Sequence, residues 1–272
     1  MTEILTPETA LAAMPLVSPT WLGVREAVDA AARSADLVAR LRRRFRTGPL
    51  EIHDLGCGTG SMARWLAPLL PGPQHWVLYD RDPIVLGHVP AGGTVETRLR
   101  DISRLTADDL AGADLVTAGA LLDLLTAAEV DAIAAACAGA GRPALLTMSV
   151  TGRVELDPAE PFDNRVEAAF NAHQRRVVAG RRLLGPDAVE AAVGAFVRQG
   201  VPTLLRPSPW RLGPADPELL TDWFGGWLDA ACEQEPRLSG PAQAYARRRL
   251  AQIADGRLRA VVEHVDLLAG LP

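Results

Sequence analysis

The sequence predicts an α/β fold built on a doubly wound, parallel sheet, and three observations carry that prediction. Strand-like and helix-like segments alternate from about residue 50 to residue 150. The strand-like segments are short apolar runs, as strands buried on both faces require. Three glycines, Gly56, Gly58 and Gly60, mark the junction where the first strand hands over to a helix.

In chain order, Thr6 to Arg46 carries alanine, leucine and valine at helical spacing, with Ser18-Pro-Thr before Trp21 resembling a helix start. Gly48 and Pro49 break that pattern. Leu50 to Leu55 reads as the first strand, and the glycine cluster and a helix to Leu70 follow, closed by Pro71-Gly-Pro. Further strands are expected at His75 to Tyr79, Thr94 to Leu99, Asp114 to Ala118 and Ala144 to Val150, with a helix at Ala127 to Ala138. Regularity then fails: residues 152–184 read as a partly helical insertion. A helix at Asp187 to Arg198, a proline-interrupted strand at Val201 to Leu212, helices near Asp216 to Cys232 and Ala242 to Ile253, and a last strand at Leu258 to Leu267 complete seven strands.

Composition removes several chemistries. The 272 residues include no lysine, so all 28 basic residues are arginine, a bias that fits a GC-rich bacterial genome. A phosphate-binding GK[ST] loop, a Schiff-base lysine and a kinase strand lysine are therefore excluded. A net charge of −5 disfavours a nucleic-acid partner, which would need a clustered basic surface. Cys57, Cys137 and Cys232 form no CxxC pair, so neither a metal site nor a disulfide framework is expected. The opening MTEILTPETA lacks a basic then apolar leader, and no uncharged apolar run reaches membrane length, so a cytoplasmic location is expected.

The most informative stretch is Asp54-Leu-Gly-Cys-Gly-Thr-Gly-Ser61. Glycines there let the backbone turn tightly and approach a ligand, and the helix start beyond them offers unpaired N–H groups. The spacing is GxGxG; the dinucleotide pattern GxGxxG would need a third glycine where Ser61 stands. Asp80 ends the second strand, 20 residues past Gly60, where an ionised carboxylate accepts both hydroxyl protons of a ribose. Asp101 follows the third strand.

DLGCGTGS, Asp80 in VLYDRDP, Asp101 in RLRDI and ADLVTAGALLDLL, taken in that order, resemble the class I, Rossmann-like S-adenosylmethionine-dependent methyltransferases over about Leu50 to Val150. The resemblance implies a seven-stranded, mostly parallel sheet whose last strand is antiparallel, with N-terminal helices and a helical insertion after strand five. It implies one domain, 1–272, divided into an N-terminal helical segment (1–46), a cofactor-binding half (47–151), the insertion (152–184) and a C-terminal half (185–272). S-adenosylmethionine is the implied cofactor. Asp54, Gly56, Cys57, Gly58 and Gly60 would receive its methionine part, Asp80 its ribose, and Asp101 with Ile102 its adenine, while Arg81 would flank the adenine and Ala118 with Gly119 would lie under the cofactor.

A small-molecule acceptor is the expected substrate. His173, in Phe170-Asn-Ala-His-Gln-Arg-Arg, is the first candidate base, or an ordinary helix-face histidine; Asp123 either faces the pocket or caps a helix. Trp21 and Arg25 would close the site from the N-terminal segment, and Arg175 and Arg176 would clamp an acceptor carboxylate, unless these side chains pack or face solvent. His264 and His53 read as packed. Two other classes remain open: a protein that binds S-adenosylmethionine without transferring its methyl, and, less favoured, an RNA-modifying methyltransferase or a nicotinamide-dependent oxidoreductase.

Overall fold

The computed structural model describes residues 17–45, 48–90, 92 and 94–271. The expected helical segment from Thr6 to Leu16, with Arg46, lies outside these residues.

The chain begins with two helices, α1 (Pro19–Ala32) and α2 (Ala35–Arg44). The parallel half follows as β1 (Leu50–Leu55), α3 (Ser61–Leu66), β2 (Gln74–Asp80), α4 (Pro83–Leu86), β3 (Val95–Leu99), β4 (Leu115–Gly119), α5 (Ala127–Ala140) and β5 (Ala144–Asp157). The remainder comprises α6 (Asp163–Gln174), a hairpin of β6 (Val177–Val178) and β7 (Arg181–Arg182), α7 (Ala188–Arg198), β8 (Thr203–Pro207), β9 (Trp210–Leu212), α8 (Pro217–Gln234), α9 (Ser239–Ala254) and β10 (Arg259–Ala269).

The main sheet has the order β3-β2-β1-β4-β5-β10-β8, with β9 also on β10. Strands β1 to β5 pair in parallel, and β10 runs antiparallel to both β5 and β8. The expected sixth strand is cut in two: β8 and β9 lie end to end along β10, so eight strands fill seven positions. Pro207 and Pro209 lack the N–H groups that an unbroken ladder needs, whereas Ser208 between them still donates its N–H to the His264 carbonyl at 2.8 Å.

Burial on both faces explains the apolar runs. Successive residues of one strand enter different cores: Trp76 and Leu78 join Leu115 and Leu145 on one side, while Val77 and Tyr79 join Val116 and Leu146 on the other. A third cluster gathers Trp223, Phe224, Trp227 and Tyr245 of α8 and α9 with Trp210 and Val262.

Two boundaries differ from the sequence reading. Strand β5 runs on to Asp157, because its second half pairs with Arg259 to Val262 of β10, so the insertion begins only after it. The N-terminal helical run is interrupted at Arg33 and Ser34, where Ser34 Oγ accepts the Leu37 N–H at 3.4 Å and caps α2. One buried carboxylate holds that break in place. Asp266 Oδ2 accepts the Ser34 N–H at 2.7 Å, while Oδ1 accepts the Met148 N–H at 2.9 Å and the Ser208 hydroxyl at 2.7 Å. Asp266 thus pins the end of α1 over the carboxyl ends of the parallel strands, beside Met148 of β5, a left-handed residue within the strand (φ 57°).

Candidate active site

The carboxyl ends of β1, β2 and β4, the residues after β3, and helix α1 enclose a cavity of ≈ 390 Å³. This is where open α/β sheets bind ligands. Gly56, Gly58 and Gly60 all have positive φ, 63°, 55° and 83°. A Cβ at Gly56 would stand 2.8 Å from Leu121 Cδ1, and one at Gly58 3.0 Å from Leu22 Cδ1, so larger residues would both strain the turn and fill its approach. Gly56, Cys57 and Gly58 line the cavity. Gly60 instead provides the left-handed residue from which α3 starts.

Asp80 anchors the turn: its Oδ2 accepts the Gly58 N–H at 2.8 Å and its Oδ1 the Asp82 N–H at 3.0 Å. Each oxygen keeps a further lone pair. Asp101 Oδ1 accepts the Ser103 N–H at 2.9 Å, and Asp101, Ile102 and Arg81 all line the cavity. Gly119 lines it as well, but Ala118 does not. The pleat turns Ala118 into the hydrophobic core, which corrects its expected place under the cofactor.

Behind the turn lies Asp54, which is not among the residues lining the cavity. Asp54 is fully buried; Thr117 donates to its Oδ1 at 2.7 Å, and its Oδ2 has no hydrogen-bond partner among the described residues. Burial pushes its carboxyl up to about 7, against the Thr117 hydrogen bond and the pull of Arg33. Arg33, at the end of α1, lines the cavity with its guanidinium over the Trp65 ring at 5.0 Å. Its Nε and Nη1 are buried and likewise lack partners among the described residues, and a Cβ on Gly119 would come within 3.4 Å of its Nη2. Arg33 escaped sequence reasoning because it stands apart from any motif; the only signal was the helix break at Ser34, a capping residue type followed by Asp36.

The other end of the cavity is aromatic. Trp21 meets Trp210 edge-on at 6.4 Å, and Arg25 lies over the Trp210 ring at 4.9 Å. Asp29 fixes this assembly, accepting Arg25 Nε at 2.9 Å, Arg25 Nη2 at 3.2 Å and Trp210 Nε1 at 2.9 Å. His264, read from sequence as packed, is buried but lines the same cavity beside Trp210. Its Nδ1 donates to the Val262 carbonyl at 2.9 Å, and burial, with Arg25 nearby, lowers its pKa to about 4. His264 is therefore neutral near pH 7, with the lone pair on Nε2. Asp123 lines the cavity half-buried, and burial raises its carboxyl to about 6, opposed by its own N–H and by Arg25.

The remaining expected site residues are placed elsewhere. His173 is not among the lining residues; its Nε2 faces Glu233 of α8 at 3.3 Å and its Nδ1 faces Arg176 Nη1 at 3.2 Å. Arg175 forms a two-bond pair with Asp187, and Arg176 turns back onto the His173 carbonyl. The reason is helical phase: Phe170 and Gln174 carry the face of α6 that lines the cavity, so His173 turns to α8. His53 is structural as expected, bonded to Glu51 and Tyr79.

Compared with protein-family models and with curated proteins, the chain finds no match. Among solved structures it is similar to a cyclopropane-fatty-acyl-phospholipid synthase-like protein from Lactobacillus casei, with 15% identity, 96% of this chain and 97% of that one covered, and a TM-score of 0.52. The chain has the Rossmann-like methyltransferase fold. At this identity the likeness concerns the fold alone. An S-adenosylmethionine-dependent methyltransferase from Thiobacillus denitrificans, in complex with S-adenosylhomocysteine, is fainter: 12% identity, 93% and 98% covered, and a TM-score of 0.42. Within this methyltransferase fold, the glycine turn, Asp80 and Asp101 stand at the carboxyl edge of the sheet, on the same side as the aromatic chamber.

Proposed function

We propose that this protein is an S-adenosylmethionine-dependent methyltransferase acting on a small molecule by in-line methyl transfer. The observation that carries the reading is the pair of incompletely bonded groups, one cationic and one acidic, behind the glycine turn. Arg33 Nε and Nη1 and Asp54 Oδ2 are buried without partners among the described residues, an arrangement that costs free energy unless a ligand completes it. A zwitterionic amino-acid moiety does so, its carboxylate toward Arg33 and its ammonium toward Asp54. Asp80 retains lone pairs for two ribose hydroxyls, and Asp101, with one oxygen on Ser103, retains the other for an adenine amino group. Gly56 and Gly58 leave the backbone bare beside them, and Ile102 supplies an apolar contact for the base.

The bound cofactor would supply an already activated methyl group. The protein's task is then to hold the acceptor in line and exclude water, for which correct placement is worth about 7–11 kcal/mol of barrier. Helix α1 covers the cavity with Trp21, Leu22 and Arg25, and Trp210 and Trp223 close it from the C-terminal half. Asp123, which lines the cavity, would accept a proton from the acceptor. Calorimetric titration with S-adenosylmethionine, S-adenosylhomocysteine and NAD tests the reading; binding of NAD but of neither sulfur compound would sink it.

A further inference from the structure

The aromatic end of the cavity carries information about the acceptor. Three of the chain's six tryptophans, Trp21, Trp210 and Trp223, line it together with Phe170. Such walls suit a flat, conjugated molecule, since stacked and edge-on ring contacts add to simple burial. The polar groups between them decide what that molecule bears. Arg25 is locked: Nε and Nη2 are held by Asp29 and its plane rests on Trp210, while Nη1 has no hydrogen-bond partner among the described residues. A fixed guanidinium at the wall of a buried chamber favours an oxyanion and repels an ammonium. Asp29 balances part of that charge, but Arg25 Nη1 remains a fixed N–H donor, which an oxyanion accepts from well and the weakly basic nitrogen of an aryl amine does not. His264, neutral and held by Val262, offers an acceptor for a hydroxyl proton and no positive charge. Asp123 lines the same cavity as Arg25, whose charge favours its ionised form.

We infer that the acceptor is an aromatic or similarly conjugated hydroxyl compound, its ring between the tryptophans and its oxygen between Arg25 and Asp123, an inference that rests on the cofactor reading above. The hydroxyl proton passes to the Asp123 carboxylate, leaving an oxyanion that Arg25 holds. An oxygen lone pair forms the new O–CH3 bond as the sulfonium S–CH3 bond breaks, and that bond's electron pair returns to sulfur. The products are a methyl ether, a neutral thioether and a protonated Asp123, which returns its proton to solvent on release.

The test uses the full chain loaded with S-adenosylhomocysteine and needs no turnover. 4-Nitrocatechol and 7-hydroxycoumarin, whose absorbance distinguishes hydroxyl from oxyanion, are titrated in alongside their amino counterparts, 4-nitro-1,2-phenylenediamine and 7-aminocoumarin. The hydroxyl probes should bind at least ten-fold more tightly than the amines, with the oxyanion spectrum appearing below the pH at which it appears in solution. Arg25→Met should remove the spectral change and weaken binding at least ten-fold. Asp123→Asn should keep both, but release about one proton per site to the buffer, measured as heat that varies with buffer identity. Amino probes that bind as tightly as hydroxyl probes, or hydroxyl probes bound without the oxyanion spectrum, would overturn the inference even if Arg25→Met fails to fold. A wild-type chain that binds no S-adenosylhomocysteine would overturn the cofactor reading itself, and this inference with it.

Discussion

Replacing Arg33 with methionine separates a ligand-binding residue from a structural one, because the two roles predict opposite signs. Arg33 is buried with no protein partner for Nε and Nη1 among the described residues, and burial lowers its pKa. Each unmet buried donor costs about 1–3 kcal/mol. Removing the guanidinium relieves that cost and forfeits the contact with Trp65, worth about 0.5–1 kcal/mol, while methionine refills much of the volume. The ligand-free variant should therefore be more stable than wild type, by about 1–3 kcal/mol. Affinity should move the other way: hydrogen bonds to a charged partner contribute about 1.5–3 kcal/mol, so loss of one strong contact to the ligand carboxylate weakens binding roughly 10- to 150-fold. Thermal unfolding of the free protein and calorimetry with S-adenosylhomocysteine read the two effects separately. A destabilised Arg33→Met that binds S-adenosylhomocysteine as tightly as wild type would refute the reasoning.

Other outcomes follow from the same structure. Because burial raises Asp54 to about 7, the free protein holds a proton there that a ligand ammonium must displace; S-adenosylhomocysteine affinity should fall roughly ten-fold per pH unit below 7, with proton release on binding, and Asp54→Asn should flatten that dependence. The same raised value means that this group's contribution to ligand-free stability declines as pH rises from its unfolded range, near 4, to about 7. Asp123, raised to about 6, works as a base only when ionised, so turnover should rise with pH through about 6 and level off; Asp123→Asn should remove that limb and lower turnover by about a hundred-fold or more. His173→Ala should change turnover less than two-fold, since the ring faces Glu233 and not the cavity. Arg249 is fully buried against Asp163 at 2.6 and 2.7 Å and against the Pro158 carbonyl at 2.6 Å; Arg249→Ala should cost about 3–5 kcal/mol, read as a fall of about 10 °C in unfolding temperature.

The parallel half of the fold was legible because its signals are local. Leu50–Leu55 matches the observed β1 at both ends, and the glycine turn, Asp80 and Asp101 are each fixed by position relative to a strand end. What was not legible depends on contacts between distant segments. The extension of β5 to Asp157 exists because β10 pairs with it more than 100 residues later; the alternation Arg153-Val-Glu-Leu-Asp157 is its local trace, but only the partner strand shows that it continues β5 and does not open the insertion. The split between α1 and α2 is secured by Asp266, 232 residues beyond Ser34. The two histidines divide for a related reason. His173 stands in a polar, motif-like setting yet turns to α8, whereas His264 lies in an apolar strand and reaches the cavity because β9 delivers Trp210 beside it. Arg33 shows the same limit: the lack of lysine reduced the search for a cation to arginines, but only the folded packing of α1 distinguishes Arg33 from its exposed neighbours in the Arg42 to Arg44 run.

The central claim is that the cavity beside the glycine turn receives an adenosyl amino acid, with Asp80 on its ribose and Arg33 and Asp54 on its amino-acid end. Calorimetry of wild type, Asp80→Ala and Arg33→Met with S-adenosylhomocysteine tests it most directly. The account predicts one site per chain in wild type and at least ten-fold weaker binding in both variants. Wild-type binding that neither substitution changes, or no binding to wild type at all, would contradict it.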